Sequence, residues 1–144
     1  MEVKMDHTIH DNSLEAADFI RLFAAVGWGD VPADLAQMSL ENSYATFSVT
    51  SGNEVIAMAR LLGDGGMAFF LRDLAVAPKY QGQGIGRALI CHIEEYIKRQ
   101  LRPGWEGYFQ LVSAKGKEGF YLKQGYRSHP NDSSGAAMSK WING

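Results

Sequence analysis

Three alternating glycines, at positions 82, 84 and 86, separate an apolar segment from a long amphipathic one. The first amides of a helix have no acceptor within it, and the aligned peptide dipoles add about half a positive charge there. Because glycine has no Cβ atom, a ligand can approach such a backbone closely. A guanidinium group directly after the last glycine can bind a phosphate through two hydrogen bonds. The turn therefore predicts an anion-binding site formed by Gln81, Gly82, Gln83, Gly84, Ile85, Gly86 and Arg87.

Three interpretations of this turn compete. A Walker loop requires lysine and then serine or threonine after its last glycine, but Arg87 and Ala88 hold these positions. A dinucleotide-binding fingerprint requires a third glycine where Arg87 stands. In the third interpretation the glycines serve only packing, and three alternating glycines directly before a strong helix argue against it.

Arg72 and Asp73 are the charged residues of an otherwise apolar segment, residues 67–76. Such a segment is typical of a central strand that is covered on both faces. Because buried charges need partners, this pair is either a structural ion pair or part of a site.

The apolar periodicity and the turn signals predict a mixed α/β domain that occupies residues 1–144. Strands are predicted at residues 3–8, 44–50, 55–62, 67–76 and 108–113, with a last strand pair from Tyr126 onward. Helices are predicted at residues 13–26, 32–40, 84–100 and 117–124, the first of them capped by Asn12 or Ser13. The glycine turn thus lies between a buried strand and the longest helix.

Two segments resemble sequence motifs of the GNAT superfamily of acyl-CoA N-acyltransferases. Residues 74–78 and 81–87 resemble motif A, whose pattern is filled by Gln81, Gly84 and Gly86, and residues 120–126 resemble motif B. The resemblance covers about residues 13–128, and two motifs in the right order are stronger evidence than either alone. It implies the GNAT fold: a mixed, mostly antiparallel sheet of about six to seven strands with about four helices, splayed at the acetyl-CoA site.

The resemblance also implies how acetyl-CoA binds. In the family the pyrophosphate of the coenzyme lies on the motif A turn, here residues 81–87, and the pantetheine arm pairs with the central strand like an extra strand. Backbone groups of Leu74 and Val76 are therefore assigned to the cofactor. An amide near Leu74 or Ala75 would polarise the acetyl carbonyl and stabilise the oxyanion.

Tyr121 resembles the family tyrosine that donates a proton to the departing thiolate, which a positioned phenol can do. The alternative is a tyrosine whose ring only fills the core, with Tyr108 or Tyr126 as the proton donor. Asp73 is the candidate general base or orienting group, although pairing with Arg72 or another cation is the competing interpretation. The glutamate that some family members carry earlier on this strand is replaced by apolar residues at positions 69–71.

Composition narrows the class of protein further. The chain is 46% hydrophobic and 21% charged, as in an ordinary globular protein, and its net charge of -2 argues against nucleic acid as a partner. Cys91 is the only cysteine, and no apolar run approaches the ~20 residues that span a bilayer. His7 and His10, with Asp6 and Asp11, lack the spacing of a recognisable ligand set. We therefore expect a cytoplasmic protein without membrane contact and without metal.

Together these features predict an N-acetyltransferase that moves acetyl from acetyl-CoA to a primary amine of a small molecule, by direct attack in a ternary complex. A peptide or protein amine is the alternative acceptor. A non-catalytic acyl-CoA sensor or partner-binding module that retains the coenzyme site is the alternative function. The acceptor is expected to enter beside the first two helices and residues 63–66, where Phe19, Trp28 and Met67 add apolar character. A homodimer is compatible with the resemblance and with the apolar surface of the first helix.

Overall fold

The computed structural model describes residues 7–144, and in this part of the chain one sheet of five strands is accompanied by four α-helices. The strands are β1 (His7–Asp11), β2 (Ala45–Ser51), β3 (Glu54–Gly63), β4 (Ala68–Val76) and β5 (Tyr108–Leu111). The helices are α1 (Ala16–Ala25), α2 (Ala33–Glu41), α3 (Ile85–Gln100) and α4 (Glu118–Leu122). By its contacts the chain divides into two compact units, the first ending at Leu111 and the second beginning at Val112. A single domain over residues 1–144 stays a prediction.

The five strands lie in the order β1-β2-β3-β4-β5. Every neighbouring pair is antiparallel except β4 and β5, which are parallel. A parallel pair needs a crossover connection, and α3 provides it. The predicted mixed, mostly antiparallel α/β sheet is therefore confirmed, although its five strands are fewer than the six to seven expected.

Helices pack on both faces of this sheet. Met58 of β3 and Ala75 of β4 belong to a buried cluster with Phe19 and Leu22 of α1. The adjacent residue on β3, Ala59, pairs with Phe47 of β2, and the Phe47 ring lies 5.2 Å from the Tyr96 ring of α3. Because successive side chains of a strand point to opposite faces, α1 and α2 cover one face and α3 covers the other.

A regular stripe of apolar side chains fixes α3 on its face. The stripe recurs at helical spacing and is buried at Ile85, Leu89, Ile93 and Ile97, as the sequence predicts. Burial of each such side chain contributes about 1.5–3 kcal/mol. The stripe therefore fixes the start of α3 relative to the sheet, and so fixes the turn that precedes it.

Within residues 7–144, none of the helices has the length and the apolar character that a membrane span requires.

The predicted strand pair after Tyr126 is wrong. Residues 126–144 form neither strand nor helix. Asn131 explains part of this, because its side chain donates to the Ser128 carbonyl and accepts from the Ser133 amide. Such local bonds compete with a strand ladder, and Pro130 has no amide to donate.

The predicted start of the first helix is also wrong. Asn12 ends β1 instead of capping α1: it has φ 61°, and its Oδ1 accepts a hydrogen bond from the Thr46 amide. The helix begins only at Ala16, after Glu15. Of the strand predicted at residues 3–8, residues 3–6 lie outside the described part, and β1 covers the rest and continues to Asp11.

Candidate functional site

The turn between β4 and α3 is held by hydrogen bonds at its entrance. The Ala77 amide donates to the Ile56 carbonyl of β3 at 2.8 Å, and a short 3-10 helix follows at Pro78–Tyr80. The Gln81 side chain then turns back and donates from Nε2 to the Val76 carbonyl at 2.9 Å. This side chain therefore closes the turn onto the end of β4, a role that the sequence alone did not reveal.

Two glycines give the turn its path. Gly82 and Gly84 have φ angles of 79° and 83°, in the left-handed region that residues with a Cβ atom rarely adopt. A Cβ atom added at either glycine would meet no heavy atom within 4 Å. Glycine is thus required here by backbone conformation, and the outer side of the turn is open.

The amides that follow these glycines are free to bind a ligand. The Ala88 amide donates to the Gly84 carbonyl at 3.0 Å as α3 begins. Within the described part of the chain, no amide from Gly82 to Arg87 finds an acceptor. The first turn of α3 has no acidic residue, and the Arg87 side chain is exposed. This combination of free amides, helix dipole and one cation suits an anion that carries phosphate groups.

The sheet opens immediately before this turn. The parallel pairing of β4 with β5 runs from Ala68 opposite Tyr108 to Leu71 opposite Leu111 and ends there. Among residues 7–144, no strand pairs with residues 72–76 of β4 on the β5 side, although β3 continues to pair with Ala75 and Val76 on the other side. An unpaired strand edge is a template for a further extended chain. The 3-10 helix Pro78–Tyr80 connects this edge to the glycine turn.

A β-bulge lies at the point where β4 leaves β5. Met58 pairs with Ala75 and Arg60 pairs with Arg72, so that two residues of β4, Asp73 and Leu74, stand opposite Ala59. Asp73 has φ 54°, a conformation that costs an ordinary residue roughly 1–2 kcal/mol. A bulge redirects the strand and its side chains. The bulge therefore sets the direction of the open edge.

The bulge is stabilised by a partly buried ion pair between neighbouring strands. Arg60 Nε donates to Asp73 Oδ2 at 2.7 Å, and the two side chains are only 13% and 9% exposed. Arg60 Nη1 also donates to the Ser39 carbonyl and to Ser43 Oγ, and its guanidinium lies 5.9 Å from the Phe19 ring centre. Of the two partners expected for Asp73, Arg72 or another cation, the structure shows the second: the partner is Arg60. Sequence reasoning missed Arg60, although a single arginine in the apolar stretch 55–62 was the signal.

Tyr121 lies on α4, in the second unit. Its ring meets the Phe120 ring edge-on at 5.0 Å and the Tyr126 ring at 5.9 Å. Burial raises the pKa of Tyr121 above its ordinary value of 10.0, because a phenolate loses hydration when it is buried. The hydroxyl therefore keeps its proton throughout the neutral range. The structure leaves the proposed role of Tyr121 untested.

A groove of about 490 Å³ lies at the turn between β3 and β4. Its lining is formed by Asp64, Gly65, Gly66, Met67, Trp105 and Glu106. The amides of Ala68 and Gly66 donate to Asp64 Oδ1 and hold the pKa of that carboxyl below its ordinary value. Of the apolar residues expected near the acceptor, Met67 lines this groove, whereas Phe19 is buried in the core against α2.

Two histidines, His10 and His92, lie within hydrogen-bond distance of a polar side chain. His92 Nε2 lies 2.7 Å from Asp11 Oδ1, and His10 Nε2 lies 2.9 Å from Thr50 Oγ1. Cys91 is exposed and free. Asp6 lies outside the described residues. Across residues 7–144, no three His, Cys, Asp or Glu side chains are grouped so that they could hold a metal ion.

The chain is similar to known proteins in sequence and in structure. The family model of the acetyltransferase (GNAT) domain matches residues 42–128. Histone acetyltransferase TAP1 from Glycine max is 32% identical over 133 residues, which cover 85% of this chain and 56% of that protein. The chain thus spans about half the length of this curated relative.

Two solved structures are similar over nearly their whole length. A probable acetyltransferase of unknown function from methicillin-resistant Staphylococcus aureus is 27% identical with a TM-score of 0.80, and the match covers 94% of this chain and 99% of that one. A GNAT family acetyltransferase from Streptococcus pneumoniae is 28% identical with a TM-score of 0.75, over 95% and 98% of the two chains.

Proposed function

Because this chain belongs to the GNAT acetyltransferase family, we propose that it transfers an acetyl group from acetyl-CoA to a primary amine of a small molecule. One observation carries the proposal: the unpaired edge of β4 is followed, after the short 3-10 helix Pro78–Tyr80, by residues 82–87, whose amides have no acceptor among the described residues. This arrangement offers an extended chain a strand to pair with and offers a diphosphate a set of donors. Acetyl-CoA has both parts.

Each part of the acetyl-CoA site has a proposed role. The amides of residues 82–87 hold the pyrophosphate, and Arg87 adds a charge-assisted contact. The Gln81 side chain positions the turn, since it is bonded to the Val76 carbonyl. The Leu74 and Val76 backbone pairs with the pantetheine arm. An amide at the bulge, of Leu74 or Ala75, stabilises the oxyanion that forms when the amine attacks the thioester carbonyl.

The acceptor amine must lose a proton before it attacks. An alkyl amine with a pKa near 10.4 is neutral about once in 2,500 molecules at pH 7, a deficit of about 4.6 kcal/mol. Asp73 is a poor choice of base because Arg60 occupies one of its oxygens in a partly buried ion pair. We therefore assign Asp73 the orienting role: it holds the bulge, and with it the amide that faces the carbonyl.

Tyr121 is proposed as the general acid. When the tetrahedral intermediate collapses, the C–S bond breaks and the phenol delivers its proton to the coenzyme A thiolate. The phenolate then takes up the proton that the former amine nitrogen releases, which leaves an amide, the free thiol and a neutral Tyr121. Burial raises the pKa of Tyr121, so the phenol is protonated at neutral pH and holds the proton that this step requires. The assignment rests on the position of Tyr121 in the segment that resembles motif B and on the burial of its side chain.

A thiol-release assay tests the proposal. Purified full-length chain is incubated with acetyl-CoA and a panel of amines, and free coenzyme A is measured with a thiol reagent. We expect amine-dependent release. Tight coenzyme binding without release for any amine class would instead support the acyl-CoA sensor.

A peptide or protein amine is the alternative acceptor, supported by the name of the histone acetyltransferase from Glycine max. The same assay with a lysine-containing peptide beside free small amines separates the two. Higher kcat/KM for the peptide would replace the small-molecule proposal. A cytoplasmic location and a homodimer stay predictions.

A further inference from the structure

Two arginines stand side by side in the sheet. Arg60 of β3 pairs directly with Arg72 of β4, so both side chains leave the sheet on the same face. Like charges in directly opposite positions of neighbouring strands destabilise a sheet. The pairing therefore costs stability, which an acidic side chain or a bound anion would offset.

Only one of the two arginines is compensated. Arg60 is bound by Asp73 and makes further contacts with Ser39 and Ser43. Arg72 is exposed, and it makes no hydrogen bond, ion pair or ring contact with any residue from 7 to 144. Since the one acid at the bulge is already engaged by Arg60, the charge of Arg72 stays available.

The position of Arg72 relates it to the reaction. Arg72 is the first residue of β4 beyond the last β4–β5 pair, Leu71 with Leu111, and it directly precedes the bulge residue Asp73. On the same face of the sheet, two residues back along β4, Phe70 stands opposite the exposed Gln110 of β5. A cation, an aromatic ring and an amide therefore share one face at the place where the thioester carbonyl is proposed to lie.

We propose that Arg72 binds an anionic group of the acceptor, so that the substrate is an amine that also carries a carboxylate or a phosphate. This inference rests on the proposed acetyl transfer and narrows its acceptor. A guanidinium binds either anion through two parallel hydrogen bonds, which orients the ligand as well as attracting it. The anion on Arg72 then holds the amine beside the open edge of β4.

Matched acceptor pairs test the inference with the thiol-release assay. Leucine is compared with leucinamide for the carboxylate, and O-phosphoethanolamine with ethanolamine for the phosphate. The wild type should show the higher kcat/KM for the anionic member of at least one pair, and that pair identifies the anion. Arg72→Gln should lower kcat/KM for that member on the order of 10-fold to 100-fold, chiefly through KM, and leave the uncharged member within about 2-fold.

Two further variants separate binding from general charge effects. Arg72→Lys keeps the charge without the planar fork and should restore part of the loss. Arg99→Gln removes the same charge from the exposed last turn of α3 and should change neither member of a pair. The inference is overturned if the wild type prefers the uncharged members, or if Arg72→Gln lowers kcat/KM equally for both.

The failure of this inference differs from the failure of the proposed function. If coenzyme A raises the Tm but no amine yields thiol, the acetyl transfer itself is wrong. Arg72 is then judged by equilibrium dialysis of labelled leucine and O-phosphoethanolamine against the coenzyme A complex. Binding by the wild type but not by Arg72→Gln supports the anion site, and equal or absent binding in both refutes it.

Discussion

Tyr121 is the side chain whose chemistry can be tested most directly. We expect Tyr121→Phe to lower kcat about 10²-fold to 10⁴-fold, because the thiolate would depart without a positioned proton donor. The Kd for coenzyme A should stay within about 2-fold, since the phenol is assigned to the leaving step. Steady-state kinetics and thermal shift measure the two effects.

Tyr126→Phe is the matched control, because the two rings touch edge-on in the same unit. If Tyr126→Phe causes the larger loss of kcat, the acid is Tyr126. The pH profile gives a second check. The pKa of Tyr121 is raised from its ordinary value of 10.0, so an alkaline loss of activity due to this group should be centred above pH 10.

The ion pair of Arg60 and Asp73 is expected to stabilise the fold strongly. Arg60→Met leaves the Asp73 carboxylate buried without a partner, which costs about 3–5 kcal/mol in the free energy of unfolding. Asp73→Asn should cost less, because asparagine adopts the left-handed conformation readily and still offers an oxygen to Arg60. Urea unfolding measures both.

Arg21→Gln provides the control for this pair. Arg21 forms an ion pair with Asp18 and also donates to the Val55 carbonyl, but the Arg21 and Asp18 side chains are 45% and 31% exposed, so the substitution should cost less than Arg60→Met, about 1–2 kcal/mol. Equal losses for Arg60→Met and Arg21→Gln would contradict the structural role. If Asp73→Asn abolishes the acid limb of the pH–rate profile at full stability, Asp73 is the base after all.

At the scale of the elements, Gly82 and Gly84 of the glycine turn are expected to affect both the stability of the fold and the affinity for coenzyme A. Gly82→Ala and Gly84→Ala each force a Cβ atom into the left-handed region, which should cost about 1–2 kcal/mol. The added atom meets open space, so the fold should persist. Coenzyme A affinity should nevertheless fall, because relaxation of φ turns the amides away from their common direction. Isothermal titration calorimetry measures the affinity.

Gly52 supplies a matched substitution in a turn outside the site. It lies between β2 and β3 with φ 62°, and a Cβ atom there would also meet nothing. Gly52→Ala should therefore cost similar stability and leave coenzyme A affinity unchanged. A comparable loss of affinity in all three variants would mean that the effect is general destabilisation.

The elements show where sequence reasoning succeeds. The strand predicted at residues 44–50 is Ala45–Ser51, and that at residues 55–62 is Glu54–Gly63, because alternation and the turn around Gly52 define both. Sequence reasoning fails where a hydrogen bond of one side chain determines where an element begins or ends. Asn12 bonds to the Thr46 amide and ends a strand instead of capping a helix, and that bond joins residues far apart in sequence.

At the scale of the whole molecule, motif order predicted the family, and apolar periodicity predicted the sheet. The bulge could not be predicted, because it depends on how β3 and β4 pair, and a shift of one residue leaves the apolar pattern of β4 unchanged. The partner of Asp73 was missed for the same reason: pairing across strands chose Arg60 over its sequence neighbour Arg72. The division of the chain into two compact units after Leu111 could not be predicted either, because no change of composition accompanies it.

Whether the acetyl group is transferred directly depends on how the whole molecule binds its two substrates. In direct transfer, acetyl-CoA and the amine are bound at the same time, so double-reciprocal plots at several fixed amine concentrations should intersect. A route through an acyl-enzyme would instead give parallel lines, and the exposed thiol of Cys91 is the only cysteine that could carry the acetyl group. Cys91→Ser should therefore keep kcat and the intersecting pattern. Direct transfer would be refuted by parallel lines together with covalent labelling of the protein by the acetyl group of acetyl-CoA, if Cys91→Ser abolishes that labelling.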